Sequence, residues 1–143
     1  MPERPTHLAD TSAWIEGLRP GGKEAWTSEL KRLVTDRKVG IQPIIRVELL
    51  SGAISDAEYR RLEVTLGALP QLDLTNAVWQ EAEHLGFRLR RRGLSVPVTD
   101  LIIASTAIAN RCILLHRDRH FTLIARHVSL NARDISRTAR KRT

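Results

Sequence analysis

Apolar residues along this chain follow two rhythms, long runs at helical spacing and short near-continuous stretches. Across residues 23–38, Trp26, Leu30, Leu33 and Val34 recur every three or four positions with charges between them, which predicts an amphipathic helix. Thr75 or Asn76 opens a similar segment carrying Val78, Trp79, Ala82, Leu85, Phe87 and Leu89, and Gly93 closes it. After Thr99 and Asp100 the pattern changes. Leu101, Ile102, Ile103, Ala104, Ala107, Ile108 and Ala109 surround most of one helix and mark it as buried. Three shorter helices are predicted: one from Thr11 and Ser12 to the stop at Pro20, Gly21 and Gly22; one led by Pro43; and one entered through the capping box of Ser55 and Glu58. A further amphipathic segment follows the charged turn around Asp118. Between these lie short strand candidates at 7–10, 39–42, 72–74 and 112–115, with an edge strand at 128–130.

Short strands alternating with helices call for an α/β fold, a single domain with a short central parallel sheet flanked by helices, because successive parallel strands need crossover connections. The expected division is a domain over 1–132 and a frayed basic tail over 133–143. In such sheets ligands bind outside the carboxyl ends of the strands. Asp10 ends the first strand, Asp118 follows the strand at 112–115, Asp100 opens the helix before it, and Glu48 lies a turn into the helix after another strand. Four acids are thereby expected to converge. Taken singly, each also suits a capping or solvated position.

Lys and Arg number 23 against 16 Asp and Glu, a formal net charge of +7 that favours polyanionic partners. Aromatic residues are too few, and too seldom interleaved with basic ones, for a platform that stacks bases, so phosphate contact is the expected mode. The lone Cys112 within an apolar strand, the lack of a secretion-type apolar run in the first ten residues and the lack of any ~20-residue apolar stretch predict a cytoplasmic protein with no membrane span.

Carboxylates converging without Cys or His partners would form an oxygen-only site suited to Mg²⁺ or Mn²⁺. A divalent ion there relieves mutual repulsion, activates water and neutralises charge developing on a phosphodiester. His116 and His120 have a spacing that could suggest zinc, but the His-Glu helix signature of a metalloprotease is absent. Arg117 and Arg119 flank Asp118, where they could hold phosphate or serve only solubility; the same two roles stay open for Arg88, Arg90, Arg91 and Arg92.

Four blocks, DTSAWIE at 10–16, RVELLSG at 46–52, VTDLIIASTA at 98–107 and LLHRDRHF at 114–121, resemble in order and spacing those of PIN-domain ribonucleases, specifically the VapC-like toxins of bacterial toxin-antitoxin pairs. The likeness spans nearly the whole chain. It implies metal-binding and catalytic roles for Asp10, Glu48, Asp100 and Asp118 and a supporting hydroxyl from Ser12, while Arg117, Arg119 and His120, beside Asp118 in the sequence, are candidates for RNA contact. It also implies Mg²⁺-dependent endoribonuclease activity on a structured RNA of the tRNA or rRNA class, a homodimer and a cognate antitoxin. One departure is His120, which stands where many members of the family carry a further acid.

Two other classes compete with a toxin ribonuclease. A catalytically silent PIN-like module would use the basic surface to hold RNA or a protein, but retention of all four acids favours an enzyme. A nuclease acting on DNA flaps would need further acids and longer insertions than 143 residues accommodate.

Overall fold

A computed structural model describes residues 4–136. Four short strands, β1 (His7–Ala9), β2 (Val39–Gly40), β3 (Ile113–His116) and β4 (Ala132–Asp134), form one sheet in the order β2-β1-β3-β4. All the pairings are parallel, with Leu8 opposite Gly40 on one side and Leu114 on the other, and His116 opposite Asp134. Leu8, Ala9, Leu114 and Leu115 are fully buried, as expected of central strands covered on both faces. The expected α/β architecture is therefore present.

Seven helices fill the connections among the described residues: α1 (Thr11–Leu18), α2 (Glu24–Thr35), α3 (Pro43–Ser51), α4 (Asp56–Gly67), α5 (Asn76–Arg91), α6 (Val98–Ala109) and α7 (Arg119–Ala125). The predicted punctuation is in place. Ser55 Oγ accepts the Glu58 N–H at 3.1 Å and Thr75 Oγ1 that of Val78 at 3.3 Å, while Pro43 opens α3. Gly93, at φ +77°, ends α5 just beyond its basic last turn, where cations complement the helix dipole.

Two strand expectations are corrected. Residues 72–74 form no strand; Ile41 and Gln71 make one parallel bridge instead, with Leu72 N–H donating to Ile41 O at 2.8 Å. The ladder cannot lengthen because Gln42 leaves the sheet to cap α3 at once. The edge strand lies at Ala132–Asp134 rather than 128–130. His127 and Val128 still donate to Ile124 O at 3.0 and 3.1 Å, so the chain is turning off the end of α7 there. Arg133 and Asp134, expected in a frayed tail, thus belong to the sheet, and Arg133 is paired with Glu29 of α2. Residues 137–143 of the predicted basic tail lie outside the described residues.

The chain steps from β1 outward to β2, then back across β1 to β3 and on to β4. With right-handed crossovers, the connections leaving β1 and β3 depart to opposite faces, which opens a crevice between their carboxyl ends. A buried clamp sets the helices beside it. Gln42 Oε1 accepts the Ile45 N–H at 2.6 Å while its Nε2 donates to Thr106 Oγ1 at 3.3 Å, tying the start of α3 to the middle of α6.

Candidate active site

Asp10 leaves β1 with its N–H on Leu115 O at 3.0 Å, so the end of β3 fixes its backbone. As the cap of α1, its Oδ1 accepts the Ala13 N–H at 2.9 Å. Ser12 Oγ donates to the same carboxylate and accepts the Arg117 N–H at 2.9 Å, joining the turn after β1 to the turn after β3. Asp118 is likewise a cap, its Oδ1 accepting the His120 N–H at 2.9 Å at the start of α7. For these two acids the capping and site readings do not compete: the cap bonds hold each carboxylate in place at the sheet edge.

Asp100 lies in the first turn of α6, half-buried, with Oδ2 3.0 Å from His120 Nδ1. The same ring nitrogen is 3.3 Å from Asp118 Oδ1, and one donor atom each from Asp100, Asp118 and His120 fits within 4.8 Å of the others. Glu48 is exposed on α3, where Thr11 Oγ1 donates to its Oε1 at 2.8 Å.

The carboxylates sense one another. Burial, opposed by the bonds from Ser12 and Ala13 and reinforced by the charge of Asp118, pushes the Asp10 pKa up to about 6. Asp100 is raised as well, first by burial and then by Asp118, with His120 opposing and Glu48 adding to the shift. Asp118 thus presses on both Asp10 and Asp100, and Glu48 acts on Asp100. Such a concentration of carboxylates, with hard oxygen donors close together, fits a divalent cation.

Sequence reasoning expected oxygen donors alone, and a ring nitrogen of His120 lies among them: because Asp118 caps α7, the second residue of the helix folds its ring back against the carboxylates. His116 does not join it. Buried beneath Phe121, its Nδ1 accepts the Asp118 N–H at 3.1 Å, and burial holds its pKa below the ordinary value, so it steadies the turn as a neutral ring. Arg117 reaches Glu16 Oε2 at 2.6 Å, whereas Arg119 is exposed on α7. Glu16 was missed as a site-supporting residue. It is buried on α1 and also meets Arg19 at 3.2 Å; its position one helical turn beyond Ser12 was the available signal.

Residues 8–127 match the PIN domain. The chain is 35% identical over 129 residues to VapC ribonuclease Mb1587 of Mycobacterium bovis and, to the same extent, to ribonuclease VapC11 of Mycobacterium tuberculosis, covering 87% of this chain and 96% of each relative. In three dimensions it resembles VapBC2 of Rickettsia felis, solved bound to a DNA fragment from its promoter, with a TM-score of 0.73, 20% identity, and coverage of 89% of this chain and 96% of that one. That structural likeness concerns the fold, whereas the sequence relatives and the domain match place the chain's lineage: it belongs to the PIN-domain family, among the VapC ribonucleases.

Proposed function

We propose that this protein is the toxin of a toxin-antitoxin pair, a metal-dependent endoribonuclease that hydrolyses phosphodiester bonds in a structured RNA of the tRNA or rRNA class. The observation that carries the reading is the cluster of donor atoms from Asp100, Asp118 and His120 within 4.8 Å of one another, with Asp10 near enough that the charge of Asp118 adds to the burial that raises its pKa. In this reading Asp10, Asp100 and Asp118 hold Mg²⁺ or Mn²⁺, with Glu48 reaching it from the rim. The ion, when bound, compensates that charge and eases ionisation of water at neutral pH.

The chain's own groups do the rest. Ser12 holds the Asp10 carboxylate at both oxygens, and His116 holds the backbone of Asp118. Arg119 and the outer edge of the Arg117 guanidinium contact phosphate, and the +7 charge draws RNA in.

An antitoxin partner is supported by an exposed apolar groove of about 530 Å³ beside Glu48, which includes Ile15, Leu18, Leu49 and Leu62. Exposed Trp79, Phe87 and Val98 on α5 and α6 support a homodimer. No described helix is long and apolar enough to cross a membrane, and a single buried thiol suits a cytoplasmic setting.

The test assays purified wild type and Asp10→Asn on total RNA with Mg²⁺, with Mn²⁺ or with chelator, alongside growth of cells induced for each. Metal-dependent cleavage and arrest by wild type alone is the expected result. Cleavage that survives chelation, or arrest by Asp10→Asn as strong as wild type, overturns the reading.

A further inference from the structure

We propose that His120 is a nitrogen ligand of the bound cation, giving a mixed oxygen and nitrogen centre that prefers Mn²⁺ to Mg²⁺. The inference deepens the metal-dependent reading above and rests on it.

The geometry points this way in three respects. His120 Nδ1 lies 3.0 Å from Asp100 Oδ2 and 3.3 Å from Asp118 Oδ1, facing the same small space as both carboxylates. Donors at adjacent corners of an octahedron with metal bonds of roughly 2.1 Å stand about 3.0 Å apart, so these separations suit shared coordination. Coordination would use Nδ1, the ring nitrogen that faces the carboxylates, and leave the ring hydrogen on Nε2.

The ring is also held there by the backbone. Asp118 Oδ1 accepts the His120 N–H at 2.9 Å, so carboxylate and imidazole are fixed to each other by one helix cap. The Asp118 N–H in turn is anchored on His116 Nδ1 at 3.1 Å, a bond within the protein of the kind that orients metal ligands. A side chain meant for RNA phosphate would gain nothing from being turned towards two carboxylates.

The donor set then decides the ion. Imidazole binds first-row transition ions readily, whereas Mg²⁺ favours oxygen and retains its waters. Tetrahedral zinc sites are built from Cys and His, and a single imidazole among carboxylates is closer to a manganese site.

Spin-echo electron paramagnetic resonance of Mn²⁺ added to the whole protein tests this directly, since a coordinated imidazole imprints ¹⁴N modulation on the echo. Wild type, His120→Asp and His120→Ala are compared, with circular dichroism confirming their folds. The expected result is nitrogen modulation in wild type that both variants lose. Calorimetry with MnCl₂ and MgCl₂ should show the Mn²⁺ to Mg²⁺ affinity ratio falling about tenfold in His120→Asp, an all-oxygen set. Bound Mn²⁺ without nitrogen modulation in wild type, or an unchanged affinity ratio, would leave His120 a counter-charge only and overturn the inference while the metal-dependent nuclease stands. Failure of wild type to bind either ion would overturn both.

Discussion

Ser12 donates to both carboxylate oxygens of Asp10, at 2.7 Å to Oδ1 and 2.9 Å to Oδ2. One hydroxyl proton is thereby shared across the anion, and it opposes the burial that raises the Asp10 pKa to about 6. Ser12→Ala removes it and deprives the Arg117 N–H of its acceptor. Asp10 then ionises at still higher pH. The acid limb of metal binding should move up by roughly one unit, since a hydrogen bond to a charged group contributes ~1.5–3 kcal/mol and one unit is about 1.4 kcal/mol. Calorimetric metal titrations from pH 5.5 to 8 would reveal it. Ser12→Thr should restore the wild-type limb, and coincident limbs for wild type and Ser12→Ala would remove Ser12 from this role.

Asp10 itself opposes folding when ionised. Its folded pKa, about 6, lies above the ordinary 3.8, so the stability it contributes is fully present below 3.8 and lost as pH rises through 6. That displacement corresponds to ~3 kcal/mol in the metal-free protein. Asp10→Asn keeps the cap and removes the charge. In chelator at pH 7.5 it should be more stable than wild type by about 1–3 kcal/mol, with the gap closing towards pH 4. Urea unfolding at both pH values measures this. A variant less stable than wild type at pH 7.5 would contradict it.

The places of Asp10 and Asp118 were legible in sequence because caps and strand ends are local signals: Asp10 directly follows β1, Asp118 lies two residues past the end of β3, and each starts a helix. The turn of His120 towards Asp100 was not, because it joins residues twenty positions apart through a side-chain contact formed only once α6 and α7 meet. Strand β4 was hidden for a related reason. Ala132, Arg133 and Asp134 carry no β-branched residue, and their place in the sheet comes from the neighbouring strand β3, buried Ile135 and the Glu29 pair. Helix ends at Arg37 and Arg111 were similarly muted. Both residues take positive φ, 54° and 55°, where glycine would have announced the turn.

Packing between α1 and α2 depends on Gly17. A Cβ there would run into Leu30 Cδ2 and approach Trp26 Nε1 at 3.2 Å, the indole nitrogen that donates to Ala13 O at 2.9 Å. Gly17→Ala gains helix propensity but pushes two buried side chains away from their seats. A net destabilisation of about 1–3 kcal/mol is expected, as for other overpacked cores. Because α1 also carries Asp10's cap partner, metal affinity should fall with it. Thermal and urea unfolding in chelator check the first effect, and stability equal to wild type would show that α2 can yield.

The Arg117 side chain has a paired inner edge and an exposed outer one, and a double-mutant cycle separates what each contributes. Its inner edge meets buried Glu16 at 2.6 Å, with Arg19 on the other Glu16 oxygen at 3.2 Å, while half of its side chain remains exposed beside the acidic crevice. Arg117→Ala leaves Glu16 with one partner, a loss of about 1–2 kcal/mol given that solvent already screens the arginine. Glu16→Gln removes the buried charge, so adding Arg117→Ala in that background should change stability by only a few tenths of a kcal/mol. RNA binding behaves differently. If the outer guanidinium edge holds a phosphate, Arg117→Ala lowers affinity in both backgrounds and reduces the slope of log affinity against log salt by about 0.7. Urea unfolding gives the stability cycle, and binding to RNA with the cleavage-inactive Asp10→Asn protein as parent gives the salt slopes. Restored stability with an unchanged slope would confine Arg117 to the support of α1 and leave phosphate contact at this edge to Arg119.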